Sequence, residues 1–288
     1  MRGFDSRPGL MKRRVNDLEL KRWKEYDDLF TDSLWMIDAR DRSGAHTNTY
    51  HGNFVPQIPN QLMRRFTKKG GVVLDCFLGN GTTLIESKKL GRNGIGVELL
   101  PSVARGAQKN IEEGNGAGKT EIVVGDSAGA KARKGVEGAL KGMKKKAVQL
   151  IILHPPYHDI IKFSGKKEDL SNATSVEKFT NRFGDVVENF SGLLEQGGSL
   201  AIVIGDKYEA GEWHPLAFYL LQETLRRDTS LKLKSVIIKN MAGNRAKLNQ
   251  EKLWRYRALS GGFYIFKHEY ILLFRKSLPA GRQADKKV

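Results

Sequence analysis

Four consecutive residues, His154-Pro155-Pro156-Tyr157, combine groups that can hold an amino group on a planar ring. A neutral imidazole offers one acceptor nitrogen, whereas a protonated imidazole offers none. Proline has no backbone N–H, so the Pro155-Pro156 pair offers the carbonyl oxygen of Pro155 as an acceptor without a competing backbone donor from Pro156. The ring of Tyr157 supplies a stacking face. This combination favours chemistry by positioning and electrostatic stabilisation, which requires no metal.

A second segment with chemical potential is the glycine-containing stretch that follows the apolar run 72–75. Its pattern predicts a strand, a tight turn and a helix start, and ligands of open α/β sheets bind at such strand ends. The turn lacks the third glycine of a dinucleotide fingerprint and the GK[ST] ending of a phosphate-binding loop. Its candidate binding residues are Asp75, Phe77, Gly79, Gly81 and Thr82.

Two further carboxylates follow the next two predicted strands. Glu98 ends the strand 94–98, where it could accept from two ribose hydroxyls, and Asp126 follows the strand 121–124, where it could accept from an adenine amino group. The alternative is that both are exposed carboxylates at strand ends. Carboxylates that share a cleft with other polar groups favour ligand binding, although only as a matter of probability.

The elements that must position these residues alternate between strand and helix from Gly70 onward. Such alternation predicts βαβ units and a doubly wound, mostly parallel sheet of the α/β class. No helix is predicted between the last two strands, so one of them is expected to run antiparallel near the C-terminus. The seven predicted strands are 72–76, 94–98, 121–124, 147–153, 199–204, 231–239 and 264–275.

The flanking segments differ in composition from this α/β region. Residues 1–45 are highly charged, and Leu20, Trp23, Tyr26 and Phe30 recur at a rough helical spacing, which predicts a charged helical extension. We expect one α/β domain over residues 46–277. The polar stretch 278–288 is expected to be disordered.

Composition limits the cellular compartment and the class of binding partner that we expect. The sequence has no apolar run of about 18 residues, so no membrane span is expected. The N-terminus lacks the apolar region of a secretory signal. The single cysteine, Cys76, rules out an internal disulfide and predicts the reducing cytoplasm. A formal net charge of +17 favours a nucleic-acid partner over the alternative of a merely basic, solvated surface.

The two chemistry-bearing segments resemble motifs I and IV of the S-adenosylmethionine-dependent DNA N6-adenine/N4-cytosine amino-methyltransferases. Residues 51–62 resemble motif X, so the motif order is X–I–IV, and the resemblance covers residues 46–276. It implies a Rossmann-like methyltransferase fold and S-adenosylmethionine as cofactor. The implied reaction transfers a methyl group by in-line displacement to an exocyclic amino group, adenine N6 or cytosine N4, of a DNA base flipped out of the duplex.

The resemblance also implies residue roles. Asp75 and Gly79 would border the methionine moiety of the cofactor, Glu98 its ribose and Asp126 its adenine. Motif X would contribute Asn53 and Phe54, together with Pro56, beside the methionine end; the alternative there is a plain turn followed by a helix.

One position departs from the family pattern. Most relatives have Asp, Asn or Ser where this chain has His154, so the loop does not decide between adenine and cytosine. We expect activity to fall as the pH drops through the pKa of this histidine, ordinarily near ~6.5. The substitution also leaves open a catalytically inactive nucleic-acid-binding protein, and an RNA base amino-methyltransferase is a further alternative.

The segment before the last strand alternates basic and aromatic residues. Basic residues neutralise phosphates and aromatic rings stack on bases, so we expect this stretch to contact DNA as a loop. The sequence contains no long insert for a separate target-recognition domain, so specificity either comes from short loops and the N-terminal extension or is low. This argues against the sequence-specific DNA methylation of a restriction-modification system. The DNA-contact candidates are Arg245, Lys247, Lys252, Trp254, Arg255 and Arg257.

Overall fold

The computed structural model describes residues 15–46, 52–241 and 251–277. Its strands are β1 (Leu34–Trp35), β2 (Val72–Asp75), β3 (Asn93–Glu98), β4 (Thr120–Val124), β5 (Val148–Leu153), β6 (Leu194–Ile204), β7 (Lys207–Glu209), β8 (Glu212–His214), β9 (Leu231–Asn240) and β10 (His268–Lys276). Its α-helices are α1 (Gln57–Phe66), α2 (Thr82–Lys89), α3 (Pro101–Glu113), α4 (Ala130–Gly142), α5 (Val176–Ser191), α6 (Leu216–Arg227) and α7 (Glu251–Gly261).

One sheet organises the described chain. Its strand order is β1-β9-β10-β6-β5-β2-β3-β4, while β7 and β8 form a separate hairpin. Strand β10 runs antiparallel to both neighbours, and the other pairings in the sheet are parallel. The α/β class, with a mostly parallel sheet and an antiparallel strand near the C-terminus, is confirmed.

The two faces of the sheet pack on different helices because successive strand residues point to opposite sides. Val73 and Leu150 belong to a buried cluster with Ile58 of α1. Leu74 and Ile151 belong to a second cluster, which includes apolar residues of α4, α5 and α6. The sheet is therefore covered on both faces, and its central strands are apolar on both sides.

The sheet has eight strands where the sequence predicted seven. The additional strand, β1, pairs parallel with the edge strand β9. Its two residues are too few to show an alternating pattern, although Trp35 is almost fully buried. The segment is held further by Asn240, whose side chain bonds both the N–H and the carbonyl of Ile37.

The helical extension predicted for residues 1–45 is not seen in the part of that range that the structure describes. Residues 15–46 contain one short 3₁₀ helix, Leu20–Glu25, besides β1. Leu20 and Trp23 are 72% and 65% exposed, so the helical spacing does not mark a packed face. The predicted tail 278–288 lies outside the described residues.

Two helices were not predicted from the sequence. The alternation of basic and aromatic residues predicts a loop over residues 251–261, but they form α7, whose sequence is free of proline and has glycine only at its end. In α4, internal glycines obscure the helical pattern. A Cβ at Gly135 would lie 2.5 Å from a methyl carbon of Val123, so glycine allows α4 to approach β4 closely. No helix in the described residues is long and apolar enough to cross a membrane.

Candidate active site

The two predicted chemistry-bearing loops lie side by side at a topological switch point. Strands β2 and β5 are neighbours, and the order then continues to β3 on one side and to β6 on the other. Asp75, the last residue of β2, is aligned with Ile152 of β5, so the loops that follow both strands leave the same sheet edge. Open α/β sheets bind ligands at such a crevice.

A single cavity of about 1880 Å³ lies above this crevice. It is lined by most of the predicted cofactor and catalytic residues: Asn53, Phe54, Phe77, Gly79, Thr82, Glu98, Asp126, His154, Pro155, Pro156 and Tyr157. Of the DNA-contact candidates, Trp254 also lines it. Arg245 and Lys247 lie outside the described residues.

Asp75 and Gly81 shape the turn and are not among the residues that line the cavity. Asp75 is fully buried and accepts the backbone N–H of Phe77 at 2.9 Å, and burial raises its pKa to about 6. Gly79 and Gly81 have φ values of 52° and 88°, a region that side chains with a Cβ rarely adopt. Asp75 thus lies beneath the glycine turn, and its contact with the methionine moiety stays a prediction.

Glu98 connects β3 to the glycine turn. Its Oε2 accepts the N–H of Gly79 at 2.9 Å, and its Oε1 accepts the N–H of Leu100 at 2.9 Å. Burial raises the pKa of Glu98, while these backbone donors oppose the rise. An ionised carboxylate has about four acceptor positions, so Glu98 retains acceptors for a ligand in the cavity.

Asp126 has a partner that the sequence did not reveal. Its Oδ2 accepts from Arg182 of α5 at 2.7 Å, and its Oδ1 accepts from the N–H of Ala128 at 3.0 Å. Arg182 offsets the charge of Asp126 at the cavity wall. The carboxylate still has acceptor positions to spare, which keeps the predicted contact with an adenine amino group open.

The His-Pro-Pro-Tyr loop rests on a buried chain of polar groups. Tyr157 Oη donates to Glu269 Oε2 at 2.7 Å, and Lys239 Nζ donates to Glu269 Oε1 at 2.9 Å. Lys239 and Glu269 face each other across the β9–β10 ladder. His154 Nε2 lies 3.4 Å from Tyr157 Oη, so the chain continues into the loop.

The same contacts determine the protonation state and the tautomer of His154. Burial lowers its pKa to about 4, the charge of Lys239 acts in the same direction, and the charge of Glu269 opposes both. The expected titration near ~6.5 is thus displaced to lower pH. Tyr157 donates its hydroxyl hydrogen to Glu269, so its oxygen can only accept from His154. His154 Nε2 therefore carries the hydrogen and donates it to Tyr157 Oη, and Nδ1 is the acceptor of the neutral ring.

The aromatic rings of the site pack against specific neighbours. Phe54 meets the His154 ring edge-on, with centroids 4.8 Å apart. A Cβ at Gly205 would lie 2.7 Å from Tyr157 Cε2, so the glycine makes room for that ring. Burial and the neighbouring Glu269 carboxylate raise the pKa of Tyr157, which keeps its hydroxyl protonated.

Comparison with known proteins identifies the family of the chain that carries these loops. A family model described as DNA methylase, of the N6/N4 methyltransferases, matches residues 6–109 and 148–287, which together make up most of the chain. The chain belongs to this DNA methylase family. The resemblance noted for the two loops is therefore confirmed at the level of the family.

Individual relatives match over shorter stretches. The type II methyltransferase M.BglI of Bacillus subtilis is 28% identical over 138 residues, 48% of this chain and 35% of the relative. M2.DpnII of Streptococcus pneumoniae is 32% identical over 109 residues, 35% of this chain and 41% of the relative. This chain spans well under two thirds of either relative. Among solved structures, TrmN of Thermus thermophilus has a TM-score of 0.49 at 15% identity, covering 78% of this chain and 50% of TrmN.

In this member of the DNA methylase family, Lys239 and Glu269 are site residues that the sequence did not assign. Neither residue is among the site residues predicted from the sequence. The available signal was a charge beside an apolar run near the end of each strand: Lys239 follows the run 236–238 in β9, and Glu269 precedes the run 270–274 in β10. Such charges require a buried partner, but the pairing itself depends on strand register.

The described part of the basic segment is the helix α7 and not the predicted loop. Lys252, Arg255 and Arg257 lie on α7, are exposed and are not among the cavity-lining residues. The guanidinium of Arg257 lies 5.3 Å from the centroid of the Trp254 ring. The helix thus carries its positive charges outside the cavity while Trp254 lines the cavity.

Proposed function

We propose that this chain transfers a methyl group from S-adenosylmethionine to an exocyclic amino group, adenine N6 or cytosine N4, of a DNA base extruded from the duplex. The observation that carries the proposal is the shared cavity. It joins the glycine turn and Glu98 to the His154–Tyr157 loop in one space. Family membership supports DNA as the methyl acceptor.

The cavity has room for two ligands. Its volume of about 1880 Å³ exceeds the roughly 300–1,000 Å³ of a typical small-molecule pocket. A cofactor and an extruded nucleotide must occupy the site together for a methyl group to pass between them. Extrusion is required because the amino nitrogen of a stacked, paired base is out of reach of a buried site.

The residues present fit S-adenosylmethionine. Glu98 offers acceptors for ribose hydroxyls, and Asp126 offers acceptors for an adenine amino group. The side-chain amide nitrogen of Asn53 is buried without a hydrogen-bond partner among the described residues, and a polar ligand would supply one. When bound, the cofactor supplies an electrophilic methyl group.

The loop residues of this chain hold the target amine. The carbonyl oxygen of Pro155 and the neutral ring of His154 provide acceptors for its hydrogens, and Tyr157 stacks on the base. Acceptors at the amine favour the pyramidal nitrogen with an available lone pair. Positioned groups of this kind lower a barrier without reorganising during the reaction.

Replacing Glu98 with glutamine is expected to weaken binding of S-adenosylhomocysteine by roughly 10- to 100-fold. In glutamine, an NH2 donor replaces one of the two acceptor oxygens. This donor faces the N–H of Gly79 or Leu100, to which it cannot bond, and it can no longer accept a hydrogen bond from a ribose hydroxyl. Titration calorimetry measures the change. The matched control is Glu113→Gln, at the exposed end of α3. An unchanged Kd for Glu98→Gln would contradict the ribose assignment.

The acceptor role of His154 predicts a specific pH dependence. The ring is neutral above its pKa of about 4 and loses its acceptor below it, so activity is expected to stay level from neutral pH to about 5 and then to fall. His154→Asn keeps an acceptor that does not titrate in this range. The ratio of the two pH–rate profiles cancels titration of the DNA itself. If the ratio of wild-type to His154→Asn rates stays flat through pH 4, His154 is not the acceptor. If the ratio falls with a midpoint near ~6.5, the His154 ring is exposed to solvent.

The proposal is tested by transfer of labelled methyl from S-adenosylmethionine to unmethylated genomic DNA, followed by nucleoside mass spectrometry. N6-methyldeoxyadenosine or N4-methyldeoxycytidine, formed about 100-fold more slowly with Tyr157→Ala, is the expected product and identifies the base. Methylation of transfer or ribosomal RNA without methylation of DNA would replace DNA by RNA as the acceptor. Cofactor binding without transfer to any nucleic acid would indicate an inactive binding protein.

A further inference from the structure

Lys207, the first residue of β7, is a buried lysine beside the catalytic loop. Its side chain is only 6% exposed. Its Nζ lies 2.6 Å from Glu209 Oε2 and 3.3 Å from His158 Nδ1, and it donates to Asp159 Oδ1. Burial lowers the pKa of Lys207, but the bonds to the two carboxylates raise it above its usual range, so the ammonium stays charged.

His158, one of these partners, directly follows Tyr157 and has an unusual backbone conformation. Its φ is 54°, in the left-handed region that residues with a Cβ rarely adopt. In the neutral ring, Nε2 donates to the carbonyl oxygen of Ala173 at 2.9 Å, so Nδ1 accepts from Lys207. Nδ1 also lies 3.1 Å from Asp159 Oδ1. A strained backbone of this kind persists only where its surroundings fix it.

The stretch from the end of β6 to the start of β7 contacts two successive residues of the catalytic loop. The ring of Tyr157 lies over Gly205, which leaves room for it. Two positions after that glycine, Lys207 contacts His158. Asp206, between them, is itself fixed because its carboxylate accepts a backbone N–H at the start of α6 at 3.0 Å. Lys207 therefore contacts the loop from a rigid part of the fold.

We propose that Lys207 is a positioning residue of the methylation reaction: by holding His158 in its left-handed conformation, it fixes the orientation of the Tyr157 ring. The inference rests on the proposed function, which supplies the reaction. Lys207 lines the cavity, but its three N–H groups already have three acceptors, so none remains for a DNA phosphate or a base. Lys207 therefore acts on the reaction through the loop.

Removing the ammonium tests this role. In Lys207→Met, His158 loses a contact that holds its backbone, and kcat is expected to fall about 10-fold, while the Kd of S-adenosylhomocysteine stays the same. Glycine adopts the left-handed conformation without strain, so it does not need Lys207. In a His158→Gly background, Lys207→Met is therefore expected to change kcat by less than about 2-fold.

A matched pair at position 158 tests the backbone conformation separately. His158→Ala and His158→Gly both remove the ring, but alanine keeps the Cβ that disfavours a positive φ. The kcat of His158→Ala is expected to be about 10-fold below that of His158→Gly. Equal kcat for the two variants would overturn the idea that the left-handed conformation matters.

A second readout does not depend on methylation. In ¹³C NMR of the chain labelled at the tyrosine Cζ atoms, each chemical shift reports the hydrogen bonding of one phenol, and Tyr157→Phe identifies the Tyr157 signal. Lys207→Met is expected to shift this signal, because the phenol moves relative to Glu269. The same mutation in the His158→Gly background is expected to leave the signal in place. An unchanged signal in Lys207→Met would overturn the positioning role.

Lys276 of β10 provides the matched control. It is half-buried, its Nζ donates to the carbonyl oxygens of Ser191 and Leu194 at 2.8 and 3.0 Å, and it is not among the residues that line the cavity. Lys276→Met is expected to keep kcat and the Tyr157 signal. Thermal melting of each variant checks folding. If Lys207→Met does not fold, Lys207→Gln replaces it, since its amide can still donate to one partner.

The remaining outcomes separate this inference from its alternatives. Equal losses of kcat in Lys207→Met and Lys276→Met would indicate a general effect on stability and overturn the positioning role. Weaker binding of duplex DNA by Lys207→Met, with kcat unchanged, would assign Lys207 to a phosphate and also overturn it. If the wild-type chain methylates no nucleic acid, the proposed function fails, and the NMR comparison still decides whether Lys207 orients Tyr157.

Discussion

Replacing Tyr157 with alanine is expected to lower the kcat of DNA methylation about 100-fold. Stacking of a base on an aromatic ring contributes about 1–3 kcal/mol, and without the ring the extruded base is no longer held against the acceptors of the loop. The mutation also leaves Glu269 without the donor that lies 2.7 Å from it. Affinity for S-adenosylhomocysteine is expected to change little, because the predicted cofactor contacts belong to other loops.

Tyr157→Phe separates the ring from the hydroxyl. It keeps the stacking face, so most of kcat is expected to remain, while the lost bond to Glu269 lowers the free energy of unfolding by about 1–3 kcal/mol. Single-turnover methylation and chemical denaturation measure the two effects. Tyr219→Ala, on α6 and away from the cavity-lining residues, is the control for loss of a tyrosine. Equal kcat for Tyr157→Ala and the wild type would exclude the stacking role.

The parts of the site that the sequence predicted are those that depend only on residues near one another in the chain. Apolar strands, the glycine turn and the Pro155-Pro156 pair each depend on neighbouring residues, so their positions at strand ends follow from the pattern alone. The adjacency of the two loops was not predicted, because it depends on the strand order. That order places β2 beside β5, although the two strands are not consecutive in the chain.

The parts that the sequence missed depend on distant contacts. Tyr157 and Glu269 are 112 positions apart, and their contact requires both the register of β10 and its antiparallel direction. Asp75 shows the opposite case: the pattern found an important acid, but only the structure shows that it lies beneath the turn.

The Lys239–Glu269 pair beneath the loop is expected to show the largest effect on stability. The two side chains are only 7% and 9% exposed. Removing one partner leaves an uncompensated buried charge, so Lys239→Met is expected to lower the free energy of unfolding by about 3–5 kcal/mol. Replacing both, as Lys239→Met with Glu269→Gln, is expected to recover a large part of that loss. Urea denaturation of the two single variants and the double variant gives the coupling energy.

A control for this cycle lies on the surface of the same protein. Arg133 and Glu137 of α4 form an ion pair 2.8 Å long whose side chains are 31% and 46% exposed. Arg133 also donates to the carbonyl of Asn189, so the control changes Glu137, whose carboxylate is exposed. Because water and salt screen exposed pairs, Glu137→Gln is expected to cost less than about 1 kcal/mol. A Lys239→Met variant no less stable than Glu137→Gln would contradict the idea that the buried pair supports the catalytic loop.

Mutating Lys239 and mutating Glu269 are expected to shift the pH dependence of methylation in opposite directions. A purely structural role of the pair would not produce these shifts. Lys239 lowers the pKa of His154 and Glu269 raises it. In Lys239→Met, the pKa of His154 is therefore expected to rise from about 4, and the acid limb of the activity profile moves to higher pH. In Glu269→Gln the limb is expected to move to lower pH. If both variants retain the wild-type midpoint, the pair supports the fold without setting the charge state of His154.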